Sequence, residues 1–182
     1  RGDFTGSSFH AVNPATGVGL GVDYVHASEA ELNRACELAQ KASLSMASLS
    51  GKEKAHFLRS LADLIDGAVD ELVEIMPKET GLPEGRVRGE AGRTSGQLRM
   101  FGNLVEEGSW VDARIDRANP DRQPLPKPDL RAMLRPVGPV AVFCASNFPL
   151  AFSVAGGDVA SAWAAGCPVI VKAHHAHPGT AL

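Results

Sequence analysis

The spacing of apolar and polar positions changes character along the chain, and each change marks an element. Asn13-Pro14-Ala15-Thr16-Gly17 gathers turn formers between two short extended runs, 9–12 and 18–25, which predicts a small hairpin. At Ser28-Glu29-Ala30-Glu31 a hydroxyl is followed three positions later by a carboxylate, so each side chain can satisfy a free N–H at a helix start. Leu32, Ala35, Cys36 and Ala39 then recur at helical spacing. Ser50-Gly51-Lys52-Glu53 repeats the box ahead of a stripe of Leu58, Leu61, Ala62, Ile65, Ala68, Val69, Leu72 and Val73, with Gly67 as a candidate break. Glu79-Thr80-Gly81-Leu82-Pro83 supplies a stop, and a further helix with Leu98, Phe101, Leu104 and Val105 on its apolar face is expected to run to about Glu107.

Beyond that point the period falls to two. Residues 110–117 and 129–135 alternate, and the linker between them carries Pro120, Pro124, Pro126 and Pro128, which cannot pair inside a central strand. The pattern predicts a two-stranded arm, marginal by itself and expected to lean on another surface. Next come a continuous apolar run at 138–144, an alanine-rich stretch at 150–165 expected to be helical, and a second apolar run at 168–172. Strand, helix and strand in so short a span is the βαβ pattern, and strands without alternation suit a parallel sheet covered on both faces. The expected class is therefore α/β.

Composition narrows the partners. A formal net charge of −3, with 44% hydrophobic and 21% charged residues, provides no basic field for nucleic acid or an anionic membrane. A small molecule or another subunit is the expected partner. Cys36, Cys144 and Cys167 lie far apart and are odd in number, which fits reduced thiols and a cytoplasmic setting. No apolar run reaches the roughly 18 residues of a membrane span, and the first residues lack the apolar centre of a signal peptide. The adhesion-like triplet Arg1-Gly2-Asp3 is too short to carry weight.

The motifs are more informative together. NPATG (13–17), ETGLP (79–83), the arm after GSWVD, RPVGPVAVFCASNFPL (135–150), AWAAG (162–166) and PVIVK (168–172) stand in an order and spacing that resemble the N-terminal part of the aldehyde dehydrogenase superfamily. Within it, the wording of residues 146–182 is most similar to the NADP-linked branch that includes 2,5-dioxovalerate (α-ketoglutarate semialdehyde) dehydrogenases and some fatty-aldehyde dehydrogenases. The resemblance implies three regions. Residues 1–109 form the N-terminal helical part of the cofactor-binding domain, 110–135 an oligomerisation β-hairpin arm, and 136–182 the first βαβ part of a Rossmann-like NADP-binding domain, which is left incomplete.

It also implies site residues. In the family a cysteine thiolate attacks the aldehyde, and negative charge grows on the former carbonyl oxygen. Asn147 holds the family's position for the amide that stabilises that oxyanion, a contact worth about 3 kcal/mol. From the local sequence alone, Asn147 reads as a turn residue capping the next helix, with Pro149 at its first position; the ordered motifs reverse that preference. The resemblance lines Cys144 and Ser146 along the nicotinamide path and sets Lys172 against the adenosine ribose. Where many NAD-linked members carry a glutamate, this chain has His175, preceded by His174. A carboxylate there would oppose a 2′-phosphate by about 1–4 kcal/mol, so imidazole beside lysine implies NADP, with NAD a possible substitute. Read locally, Lys172 is a solvated charge and His174, His175 and His177 an exposed loop. A metal site lacks a companion carboxylate or cysteine at a matching spacing. Gly156 and Gly157, expected inside a helix, would cost about 1 kcal/mol each there, which a close approach of backbone or cofactor, or simple tight packing, would explain.

The family's nucleophilic cysteine and general-base glutamate would fall after Leu182. Cys36, expected in a helix core, and Cys144 and Cys167 have no neighbouring base in the sequence. The expectation is a portion of an enzyme that oxidises an aldehyde to an acid and assembles as a homodimer or homotetramer through the arm. By itself the chain would be an inactive cofactor-binding and oligomerisation module.

Overall fold

The computed structural model describes residues 5–182, so the Arg1-Gly2-Asp3 triplet lies outside the described residues. β1 (Ser8–Val12) and β2 (Gly19–Val25) form the expected antiparallel hairpin. Asn13 closes its turn, accepting the Ala15 N–H on its side chain at 2.9 Å and the Gly17 N–H on its carbonyl at 2.8 Å. Four helices follow among the described residues: α1 (Glu29–Ser48), α2 (Gly51–Gly67), α3 (Val69–Thr80) and α4 (Glu84–Glu107).

Local chemistry sets their ends. The Ser28 hydroxyl accepts from Glu31 N–H at 3.2 Å while the Glu31 carboxylate accepts from Ser28 N–H at 2.8 Å. Ser50 and Glu53 make the same reciprocal pair at 3.3 and 2.7 Å. Gly67 does end α2, and α3 stops at Gly81 in the left-handed conformation, φ 71°. A Cβ on Gly81 would stand 3.2 Å from Pro14 Cγ, so the end of α3 and the hairpin turn can pack closely only with glycine between them.

The core lies among α2, α4 and α5 (Gly157–Ala165), where Ala55, Leu58, Ala62, Leu98, Val105, Ala160 and Ala164 are buried together. Small residues on α2 and α5 let the helices approach, while Phe101, Trp110 and Trp163 close the edges. Arg59 to Glu106 and Arg99 to Asp63 tie α2 to α4 at the surface, exposed pairs worth about 0–1 kcal/mol each.

The arm is present as β3 (Arg114–Asp116) paired antiparallel with β4 (Leu130–Ala132), with a single bridge between Asn119 and Lys127 further out. All of its strand residues are exposed. β5 (Val140–Phe143) and β6 (Val169–Lys172) then pair in parallel across α5, in the register Val140 to Val169 through Phe143 to Lys172. The short α6 (Pro178–Ala181) follows β6.

Four expectations are corrected. The apolar stretch after Phe148 is not one helix: residues 149–155 form turns, and α5 begins only at Gly157. Pro149 is buried in the first turn and opens no helix. Gly156 and Gly157 are correspondingly the cap and first residue of α5, not interior positions. A Cβ on Gly156 would lie 2.4 Å from the Ala151 carbonyl oxygen, so the close approach that requires glycine comes from the preceding turn. Cys36 is exposed, because α1 buries little more than Ala39.

Candidate active site

Two loops leave the carboxyl ends of adjacent parallel strands, the place where open α/β sheets bind ligands. The first starts after β5. The Cys144 N–H continues the ladder, donating to the Lys172 carbonyl at 3.1 Å, and the Ala145 N–H donates to the Phe152 carbonyl at 2.9 Å. That second bond draws the two ends of residues 145–152 together. Inside the loop, the Leu150 and Ala151 N–H groups both donate to one carboxylate oxygen of Glu90, at 2.8 and 3.0 Å. Glu90 comes from α4, its side chain is 1% exposed, and Arg86 lies 3.4 Å from its other oxygen. The Arg86 and Arg93 guanidinium groups also sit over the Phe148 ring at 4.6 and 5.4 Å.

The consequence is specific to Asn147. The turn donors that an asparagine cap would have satisfied belong to Glu90, and α5 is capped at Gly156. Asn147 and Ser146 are exposed at the crest of the loop, and among the described residues no hydrogen bond holds the Asn147 amide. Cys144 is buried, 7% exposed, so its backbone stands at the strand end while its thiol faces the interior.

The second loop follows β6. Lys172 and His175 are exposed and His174 is half-buried. The His174 ring stacks on His175 with centroids 4.5 Å apart and on His177 at 5.3 Å. Its Nδ1 accepts the Ala176 N–H at 3.2 Å, which leaves Nε2 as the donor position of the neutral ring. Burial holds the His174 imidazole below the ordinary histidine range, and His175, His177 and Lys172 push it the same way. No anion acts on it. A phosphate fits this set of donors on chemistry: Lys172, His174 and His175 can all donate, and none of the groups acting on His174 repels a negative charge. Among the described residues no cluster of histidine, cysteine and carboxylate is arranged to hold a metal.

Sequence reasoning missed three buried polar residues that shape these loops. Glu79, 5% exposed, accepts from Gly179 N–H, Thr180 N–H and the Thr180 hydroxyl, each at 2.7 Å. Glu90 does the equivalent for the first loop. His177, expected in an exposed loop, is 0% exposed, with Nε2 2.8 Å from the Ala145 carbonyl oxygen. Helical spacing did carry a signal for Glu90, which shares the buried stripe of Val87, Thr94 and Leu98.

The aldehyde dehydrogenase family matches residues 3–182, and the chain belongs to that family. It is 55% identical over 154 residues to α-ketoglutaric semialdehyde dehydrogenase 2 of Azospirillum brasilense, covering 85% of this chain and 29% of that protein. It is 49% identical over 151 residues to α-ketoglutaric semialdehyde dehydrogenase of Acinetobacter baylyi, covering 83% of this chain and 29% of that protein. Among solved structures, 3,6-anhydro-L-galactose dehydrogenase in complex with NAP superposes with a TM-score of 0.83 at 25% identity, over 97% of this chain and 35% of that one. The chain thus spans about a third of the length of the proteins it matches. Among the described residues no helix is long and apolar enough to cross a membrane.

Proposed function

We propose that the chain is the N-terminal portion of an NADP-dependent aldehyde dehydrogenase that oxidises 2,5-dioxovalerate to 2-oxoglutarate. The reaction takes aldehyde, NADP and water to carboxylic acid, NADPH and a proton. The observation that carries this reading is the state of Asn147: an exposed amide, unspent in capping, on a loop pinned at both ends beside a parallel strand terminus. Such a donor is free to meet an oxyanion, the charge on which electrostatic catalysis gains most. The substrate follows from the names of the two relatives at 55% and 49% identity.

NADP is preferred over NAD because Lys172, His174 and His175 offer a ribose 2′-phosphate only donors. The dinucleotide supplies a hydride acceptor when bound. This chain's part is to hold its phosphate end and to keep the amide aimed at the aldehyde oxygen. The arm is the proposed self-association surface, since a two-stranded ribbon is marginal alone and Ile115, Leu125 and Leu130 expose 66%, 67% and 53% of their surface on it.

Turnover by the full-length protein tests the proposal. With 2,5-dioxovalerate and NADP, kcat/KM should exceed that for a medium-chain aliphatic aldehyde by at least roughly tenfold, the scale on which a buried polar contact discriminates. A preference for the aliphatic aldehyde would assign the fatty-aldehyde branch instead.

A further inference from the structure

Among the described residues, His177 is a fully buried titratable side chain to which the proposed chemistry assigns no role. Its Nε2 lies 2.8 Å from the Ala145 carbonyl oxygen. A carbonyl oxygen only accepts, so the imidazole donates, and the proton sits on Nε2. Nδ1 is buried and finds no partner among the described residues, so this donation is the ring's one hydrogen bond there, beside its stack on His174. Its backbone N–H bonds the His174 carbonyl at 3.3 Å, and Pro178 and Thr180 beside it are buried, with Thr180 fixed by Glu79. The ring is therefore mounted on a rigid piece of the second loop.

What it holds matters more. Ala145 is two residues before Asn147 and carries both anchors of the near side of the first loop: its N–H to Phe152 and its carbonyl to His177. Glu90 anchors the far side. Without the imidazole, the Ala145 carbonyl is free to rotate, and the peptide that leads into Ser146 and Asn147 rotates with it.

We propose that His177 is a positioning residue for Asn147, fixing through the Ala145 carbonyl the direction in which the exposed amide points. This inference rests on the reading of Asn147 as the oxyanion donor. It ties the loop that presents the amide to the loop that presents Lys172, His174 and His175, through one hydrogen bond between the two strand ends.

The test uses the full-length protein with His177→Phe, His177→Gln, Asn147→Ala and the double variant Asn147→Ala/His177→Phe. Phenylalanine keeps a buried aromatic ring, somewhat larger than imidazole, and removes the donor; glutamine sacrifices the ring but can bring an amide N–H to the Nε2 position. His177→Phe should lower kcat by about tenfold or more, since small misplacements of a catalytic group cost up to ~100-fold, with the dissociation constant for NADP changed less than about twofold. His177→Gln should recover to within about threefold of wild type, although it packs worse. The double variant should be no slower than Asn147→Ala, because an amide that is absent cannot be misaimed.

A role in packing alone predicts the opposite order, with Phe the more active and Gln the poorer, and that order overturns the proposal. So do additive losses in the double variant, or failure of both single variants to fold. If Asn147→Ala is slow while His177→Phe is unimpaired, only the positioning role falls. If Asn147→Ala itself keeps its rate, the oxyanion reading falls and takes this inference with it.

Discussion

The two loops at the ends of β5 and β6 are built with the same device and present different donors. Each has its turn N–H groups gathered by a buried glutamate from a helix distant in sequence: Glu90 of α4 for the first loop, Glu79 of α3 for the second. A carboxylate accepting several N–H bonds is a strong, rigid anchor. It frees the loop's own side chains from satisfying the backbone. The first loop then exposes a neutral amide, Asn147, and the second exposes donors suited to an anion, Lys172 and His175. Shared support with divergent crests separates the residues that build the loops from those proposed to act at them.

The largest effects should come from the anchors. Glu79→Ala strips the acceptor from two N–H groups and a hydroxyl, and should destabilise the protein by about 3–5 kcal/mol. Glu90→Ala orphans two N–H groups and should cost somewhat less, about 2–4 kcal/mol. Chemical denaturation checks both, and equal, negligible losses would break the parallel between the loops. Next in size is His175→Glu, which introduces a carboxylate beside the proposed phosphate site. It should move the NADP-to-NAD preference toward NAD by about tenfold or more while leaving kcat with saturating cofactor nearly unchanged. An unchanged preference would remove His175 from cofactor binding.

The smallest effect is a pH dependence confined to the second loop. Burial, then His175, His177 and Lys172, lower the His174 pKa from 6.5. The folded state therefore favours the neutral ring. Its contribution to stability is complete above about pH 6.5 and is lost as pH falls through the lowered value. A bound 2′-phosphate favours the imidazolium instead, so NADP binding takes up protons and should tighten a few-fold between about pH 8 and pH 6. NAD, which lacks that phosphate, should show little change. Calorimetric titration in two buffers of different ionisation enthalpy reads the proton uptake directly.

Local chemistry made much of the fold legible. Ser28 with Glu31 and Ser50 with Glu53 set helix starts through bonds three residues long, α2 stops at Gly67, and Gly81 ends α3 through its left-handed backbone. The parallel pair of β5 and β6 was visible for the same reason, as two short apolar runs flanking a helix. Long-range contacts were not visible. Glu90, sixty residues earlier in the chain, gathers the Leu150 and Ala151 N–H groups, and the expected helix from residue 150 is interrupted where the Gly157 N–H turns back to the Ala151 carbonyl at 2.9 Å. Cys36 has helical spacing with Ala39, yet α1 lies too shallowly on the sheet to bury both. His177 read as one of three exposed histidines, and only the path of the first loop brings the Ala145 carbonyl to it. The strand-end placement of Asn147 and Lys172 was legible from motif order, whereas the residues that hold their loops were not.

The amide at the crest of the first loop is proposed to meet the aldehyde oxygen as it becomes anionic. Single-turnover measurement of NADPH formation by full-length Asn147→Ala, with NADP binding measured in parallel, addresses it directly. The rate of the chemical step should fall by about 100- to 1,000-fold with the dissociation constant for NADP within about twofold of wild type. A near-normal rate, or a loss that saturating cofactor restores, would contradict it.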